Sequence, residues 1–293
     1  MIEEHQRVWE ERWQAAINGS PMHRRRRKQG TSMQRWNKMA DDFAKRTSNK
    51  ENDDKRLKTM AWLQEMGGLT SKTRVLDIGA GPGNWSLLLA KNGAHVTALE
   101  PADGMADLLQ SRIEAEGIDN ITIDRRTWQE IDLVGEQWTG AFDLVFASMT
   151  PGIDGPESLG KMIAASREFC YLSAFSGRNW QQWYGNLWRI VFNEKLDSHG
   201  NDIINPFNLV YAMNYRPELR FDFWDHDIKW PRQKAIEDFC THLEMYTELT
   251  EEIKEMIARY VDNHSQEGTF SQTRSGCRGM MVWNINKRIS ETS

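Results

Sequence analysis

The sequence predicts an α/β fold, a mostly parallel sheet with helices on both faces, on two observations. Between residues 74 and 175, short apolar or β-branched runs alternate with stretches of helical periodicity, the rhythm of strand, crossover helix and parallel strand. The first of those runs, Arg74 to Ile78, passes directly into Gly79-Ala80-Gly81-Pro82-Gly83. Glycine at a strand-to-helix turn leaves bare backbone for a ligand at the C-terminal edge of such a sheet.

Met1 to Gln14 is charged and amphipathic, a helix without the apolar core of a secretory signal. Gly19, Pro21 and the basic run Arg24 to Lys28 follow; the run reads as a solvated linker or as a contact for phosphate or an acidic partner. Trp36, Met39, Ala40 and Phe43 recur at helical spacing within Met33 to Lys45. Asn49 to Lys55 is polar and expected as a loop, before an amphipathic helix from Leu57 to Met66 that stops at Gly67 and Gly68.

The alternation then begins. Strands are expected at Arg74 to Ile78, His95 to Leu99, Ile121 to Ile123, Phe142 to Ala147 and Phe169 to Phe175, and helices at Trp85 to Ala90, Met105 to Glu114 and Ser158 to Glu168. Beyond them lie an aromatic-rich helix, Trp180 to Phe192, and a loop containing Gly200 and Pro206. A strand at Leu219 to Trp230, helices across Gln233 to His264 and a strand at Cys277 to Ile285 complete the chain. The expected organisation is an N-terminal helical appendage or linker, 1–32, and one domain, 33–290, with a helical cap from 33–66 and 180–216.

Asp77, two places before the first glycine, suits a ligand whose ammonium must be balanced, directly or through water. Glu100 ends the second strand, where a carboxylate accepts both hydroxyls of a ribose. A dinucleotide fingerprint would need a sixth-position glycine, and Asn84 stands there. The pattern therefore favours an adenosine-bearing sulfonium amino acid over nicotinamide or flavin.

The string Val75 to Gly83, with Glu100 and the run Phe142-Asp143-Leu144-Val145, resembles the class I S-adenosylmethionine (SAM)-dependent methyltransferases, in order over about Arg74 to Ile285. The resemblance implies a Rossmann-like seven-stranded sheet whose reversed last strand, Cys277 to Ile285, lies beside Phe169 to Phe175. It implies SAM as cofactor and S-adenosylhomocysteine (SAH) as product. Asp77, Gly79, Ala80, Gly81 and Gly83 would surround the methionine portion, and Glu100 and Pro101 the ribose. Met105, Thr127 and Trp128 would border the adenine, with Ser148 beside the cofactor; Trp128 reads equally as a core residue.

The resemblance also puts Met149 and Thr150, at the end of the fourth strand, next to the methyl acceptor. That segment lacks the Asn/Asp-Pro-Pro-aromatic string of relatives that methylate base amines or glutamine. Arg178 is either a partner for an acceptor carboxylate or a surface arginine, and Trp180 and Tyr184 either line the pocket or pack on the domain. No catalytic base is assigned.

In Asp225-His226-Asp227, strand geometry turns the histidine away from its neighbours, so no metal is expected. Cys170, Cys240 and Cys277 lie too far apart for a zinc or redox motif, which suggests a reducing cytoplasm. A net charge of −5 offers no cationic coat for nucleic acid, and no run reaches the length of a membrane span. A small-molecule acceptor is the expectation. The alternatives are an RNA or protein methyltransferase anchored by Arg24 to Lys28, and a non-catalytic SAM- or SAH-binding module; oligomeric state stays open.

Overall fold

In β1 (Arg74–Ile78) every residue from Val75 to Ile78 is buried, so both faces of the strand are covered, as a central strand of a parallel sheet requires. The computed structural model describes residues 2–29, 33–177, 182–196, 200 and 202–289. Around β1 the strands β2 (His95–Leu99), β3 (Ile121–Asp124), β4 (Phe142–Ser148), β5 (Ser166–Phe175), β6 (Glu218–Pro231) and β8 (Thr269–Asn284) take the order β3-β2-β1-β4-β5-β8-β6. The first five are parallel, and β8 runs antiparallel between β5 and β6. The reversed last strand is where the sequence led one to expect it. The two-residue β7 (Ser265–Gln266) pairs with β8 and makes eight strands among the described residues, one more than the expected seven.

The pleat divides the core. Val75, Leu144, Phe146, Tyr171, Met280 and Val282 pack with α4 (Lys50–Glu65) and α5 (Asn84–Lys91) on one face. Leu76, Val145, Cys170, Leu172, Met281 and Trp283 form the opposite face with α7 (Pro156–Ala165) and α9 (Ile204–Ala212). A separate core joins α8 (Gln182–Phe192), α10 (Arg232–Leu243) and α11 (Glu251–Asn263) through Leu187, Phe239, Leu243, Val261 and Phe270.

Several sequence expectations need correcting. The polar stretch Asn49 to Lys55 is not a loop: Asn49 caps α4, its Oδ1 accepting from the Asn52 N–H at 3.0 Å, and Glu51 and Asp53 suit the helix N-terminus. Pro206 lies within the first turn of α9 rather than in a loop, a position where a helix needs no proline N–H. Helix α7 stops at Ala165 because Ser166 already pairs with Phe142 in the sheet. Strand β8 starts eight positions before Cys277, at Thr269, its polar first half forming with β6 a ribbon paired from Pro231↔Thr269 onward.

At the N-terminus, α1 (Ile2–Gly19) buries Trp13, whose indole N–H donates to the Gly200 carbonyl at 2.7 Å. The basic run expected as a solvated linker lies in α2 (Pro21–Gln29). There Arg24 and Arg25 both pair with Glu194, and the Arg25 guanidinium sits 3.8 Å from the Phe192 ring centroid. The side chains of Arg26, Arg27 and Lys28 lie outside those described. Helix α3 (Met33–Thr47) packs on α6 (Asp103–Glu116), with Ala40, Trp36 and Phe43 against Ala102 and Met105.

Gly83 is held by packing as well as by conformation. Its φ is +82°, and an added Cβ would stand 2.2 Å from Leu109 Cδ1, in the buried core. Gly83→Ala should therefore destabilise the chain by about 2–4 kcal/mol, combining left-handed strain with overpacking. Denaturant unfolding checks this; an unchanged midpoint would contradict it.

Candidate active site

The turn after β1 is tied to the end of β2. The N–H groups of Gly79 and Ala80 both donate to the Leu99 carbonyl, at 2.8 and 3.1 Å. Gly79 has φ +73°, and a Cβ there would lie 2.0 Å from Thr150 Oγ1, so only glycine lets the β4 loop close over it. Gly81, with φ +57°, differs: its Cβ position is open except for Phe43 at 3.9 Å. Gly81 faces space.

That space is a cavity of about 930 Å³ along the C-terminal edge of the sheet. Gly79 to Pro82, Glu100 to Ala102, Thr127 to Gln129 and Ser148 to Gly152 line it, with Trp36 and Phe43 of α3 on another side. Glu100 bridges its two edges of backbone: Oε2 accepts from Gly81 N–H and Oε1 from Ala102 N–H, both at 2.8 Å. Burial pushes its carboxyl above the usual carboxylate range, and those two N–H groups oppose the shift. The carboxylate is thus already aimed and desolvated, and each oxygen keeps a further lone pair for a hydroxyl donor.

Of the residues singled out in the sequence, Gly79, Ala80, Gly81, Glu100, Pro101, Met105, Thr127, Trp128, Ser148, Met149 and Thr150 line this one cavity. Thr127 also caps the short 3₁₀ turn Trp128–Glu130 in a reciprocal pair with Glu130. Trp128 is 2% exposed, and its indole N–H donates to the Ser158 carbonyl at 3.1 Å, so it belongs to the core and shows only part of its surface to the cavity. Asp77 and Gly83 do not line it. Asp77 is buried under the turn, accepts the Ser86 hydroxyl at 2.6 Å, and has its carboxyl pushed up to about 7 chiefly by burial.

Tyr184 lines a second cavity, of about 440 Å³, that shares Trp36, Phe43, Met149, Thr150, Pro151 and Phe175 with the first. Its ring stacks on His242 at 3.5 Å. Arg178 and Trp180 lie outside the described residues, as does the side chain of His226. Among the described residues no three His, Cys, Asp or Glu side chains converge as metal ligands, and no helix is long and apolar enough to cross a membrane.

Sequence reasoning missed the far wall of the large cavity: Asn52, Lys55 and Arg56 of α4, Trp85 of α5, Asp222 and Trp224 of β6, and Arg278 of β8. Trp36 and Phe43 carried a signal in their shared helical face. The charges on β6 and β8 carried none, since their meeting depends on the pairing Asp222↔Arg278.

Residues 75–168 match a family described as a methyltransferase domain. That match covers less than half of the chain. The chain is 29% identical across 120 residues to an uncharacterized protein of Haemophilus influenzae, covering 40% of this chain and 42% of that one. It is 31% identical across 130 residues to protein arginine N-methyltransferase 2 of Dictyostelium discoideum, covering 41% and 25%. A 23S rRNA methyltransferase of Shewanella amazonensis is 37% identical across 84 residues, covering 29% and 18%. The chain therefore spans less than half the length of the curated relatives it matches.

Among solved structures, the YcgJ protein of Bacillus subtilis superposes with a TM-score of 0.53 at 12% identity, over 78% of this chain and 98% of that one. The fold is thus the Rossmann-like one that this structure shares.

Proposed function

We propose that the chain transfers a methyl group from SAM to a small-molecule acceptor. The observation that carries this reading is the continuous cavity of about 930 Å³, with the glycine turn and Glu100 on one wall and α3, α4 and the β6–β8 pair on others. Its size is that of small-molecule sites, and it extends well past the strand ends.

SAM fits the residues present on two counts: the open space at Gly81, where any side chain would intrude, and the desolvated Glu100 carboxylate with spare lone pairs. Bound there, SAM supplies an electrophilic methyl group on a sulfonium sulfur. Backbone at Gly79, Ala80 and Gly81 would hold the methionine portion, Glu100 the ribose hydroxyls, and Met105 with Trp128 the adenine. Ser148, Met149 and Thr150 would border the acceptor. The protein's task in such a displacement is to hold the acceptor atom in line with the departing sulfur and to exclude water, which the aromatic side chains of α3 serve.

RNA or protein acceptors are the second reading, since two partial relatives carry those activities in their names. Two residues of the proposed RNA anchor, Arg24 and Arg25, are already engaged with Glu194, which weighs against their use there.

The test is transfer of label from SAM into a cell extract divided into small-molecule ultrafiltrate, RNA and protein. Label is expected in the ultrafiltrate. Label confined to RNA or protein would overturn the acceptor class, and none in any pool despite SAH binding would make the chain a binding module.

A further inference from the structure

The far wall of the large cavity holds an arginine whose hydrogen-bonding capacity is mostly unspent. Arg278 sits in β8 opposite Asp222 of β6, and its Nη2 donates to Asp222 Oδ2 at 3.1 Å. Its side chain is 17% exposed, and its Nε–H, fully buried, has no acceptor among the described residues. A guanidinium presents five N–H donors in a planar fork; Asp222 engages one nitrogen. Lys55 of α4 reaches the same carboxylate from the other side, its Nζ 3.7 Å from Asp222 Oδ1. The closer partner of Lys55, Glu51 at 2.9 Å, is a helix-surface pair with Glu51 60% exposed, a kind that contributes little.

Two cations thus share one carboxylate on the cavity wall. Arg56 beside them adds a third positive charge, though its own donors are committed to Asp53 at 2.6 Å and to the Thr47 carbonyl at 2.7 Å. Burial depresses the Arg56 guanidinium most, and the charge of Arg278 depresses it further. Next to this cluster the wall turns apolar. Trp224 lies against Gly276, where a Cβ would meet the indole at 2.1 Å, and Phe175 stands 6.3 Å from it.

Resting on the methyl-transfer reading above, we propose that Arg278 and Lys55 form an anion subsite that takes a carboxylate or phosphate of the methyl acceptor, whose apolar body lies on Trp224 and Phe175. An oxyanion suits the unspent fork of an arginine, in contacts that are charge-assisted and geometrically selective. The anion partner that the sequence suggested in Arg178 would then be supplied by Arg278.

The experiment uses the full chain, labelled SAM and the small-molecule ultrafiltrate split on an anion exchanger. Label should enter the retained pool. At limiting acceptor, Arg278→Gln should cut transfer about 10- to 100-fold, the cost of charge-assisted bonds, while calorimetric affinity for SAH stays within about two-fold. Lys55→Gln, at a half-buried position with the longer and weaker contact to Asp222, should cut it about two- to five-fold and keeps the test valid if Arg278→Gln does not fold. Phosphatase treatment of the pool separates the sources: lost transfer means phosphate, retained transfer means carboxylate.

Label only in the unretained pool, or transfer unchanged in both variants, would overturn the subsite and leave methyl transfer standing. So would a loss of SAH affinity matching the loss of transfer, because the cations would then hold the methionine carboxylate of the cofactor. Absence of label from every pool overturns both.

Discussion

Glu100→Ala is expected to weaken SAH binding roughly 100- to 10,000-fold in calorimetry, the largest loss for any one side chain of the cavity. Two ribose hydroxyls donating to a carboxylate make two charge-assisted bonds, at about 1.5–3 kcal/mol each, and about 1.4 kcal/mol is a factor of ten. The side chain is also the link between the two backbone edges of the site, accepting from Gly81 and Ala102 N–H at 2.8 Å each. Its removal frees the floor as well as the ligand. Glu100→Gln keeps the shape and one acceptor oxygen, so it should fall between wild type and alanine. Thermal melts without ligand separate binding from folding. Affinity within three-fold of wild type in a folded Glu100→Ala variant, on the order of half a kcal/mol, would remove the ribose from this position and with it the assigned pocket.

What was legible in the sequence is what local chemistry dictates. The β1 turn could be read because positive φ and close approach admit one residue type: Gly79 meets both needs and Gly81 the first. Glu100 could be read because a strand end has a fixed place at the sheet edge. The first half of α4 could not: Asn49 to Lys55 is polar throughout, and no apolar stripe marks a helix whose polar side borders a cavity. The ribbon half of β8 failed for the same reason, since Thr269 to Gly276 lies beyond the body of the sheet and shows no simple apolar alternation. Lys55, Asp222 and Arg278 meet only after three distant segments fold together. Trp128 was read two ways, and the Ser158 carbonyl explains why both had force: the indole N–H is used in the core while part of the side chain reaches the site.

Asp77 should make the unliganded protein less stable as pH rises from about 4 to 8. Its carboxyl is buried and pushed up to about 7 in the fold, against an ordinary value of 3.8. Between those values the native chain holds a proton that the unfolded chain has released. The stabilisation from that proton is full below the unfolded value and is lost as pH rises through about 7. A separation near three pH units corresponds to at most about 4 kcal/mol at roughly 1.4 kcal/mol per unit, or several degrees in Tm for a chain of this length. Asp77→Asn, isosteric and uncharged, should flatten this part of the pH profile. The Ser86 hydroxyl favours the ionised form, so Ser86→Ala should move the fall in stability to higher pH. Wild type and Asp77→Asn with parallel Tm profiles across this range would show that Asp77 does not titrate in the fold. A carboxyl that gains a proton so readily is also sensitive to positive charge nearby. If the methionine ammonium of SAM settles above the turn, it should pull Asp77 back toward the ionised state, and binding should release a proton near pH 6. Calorimetry in buffers of different ionisation enthalpy reads that release directly, and it should vanish in Asp77→Asn.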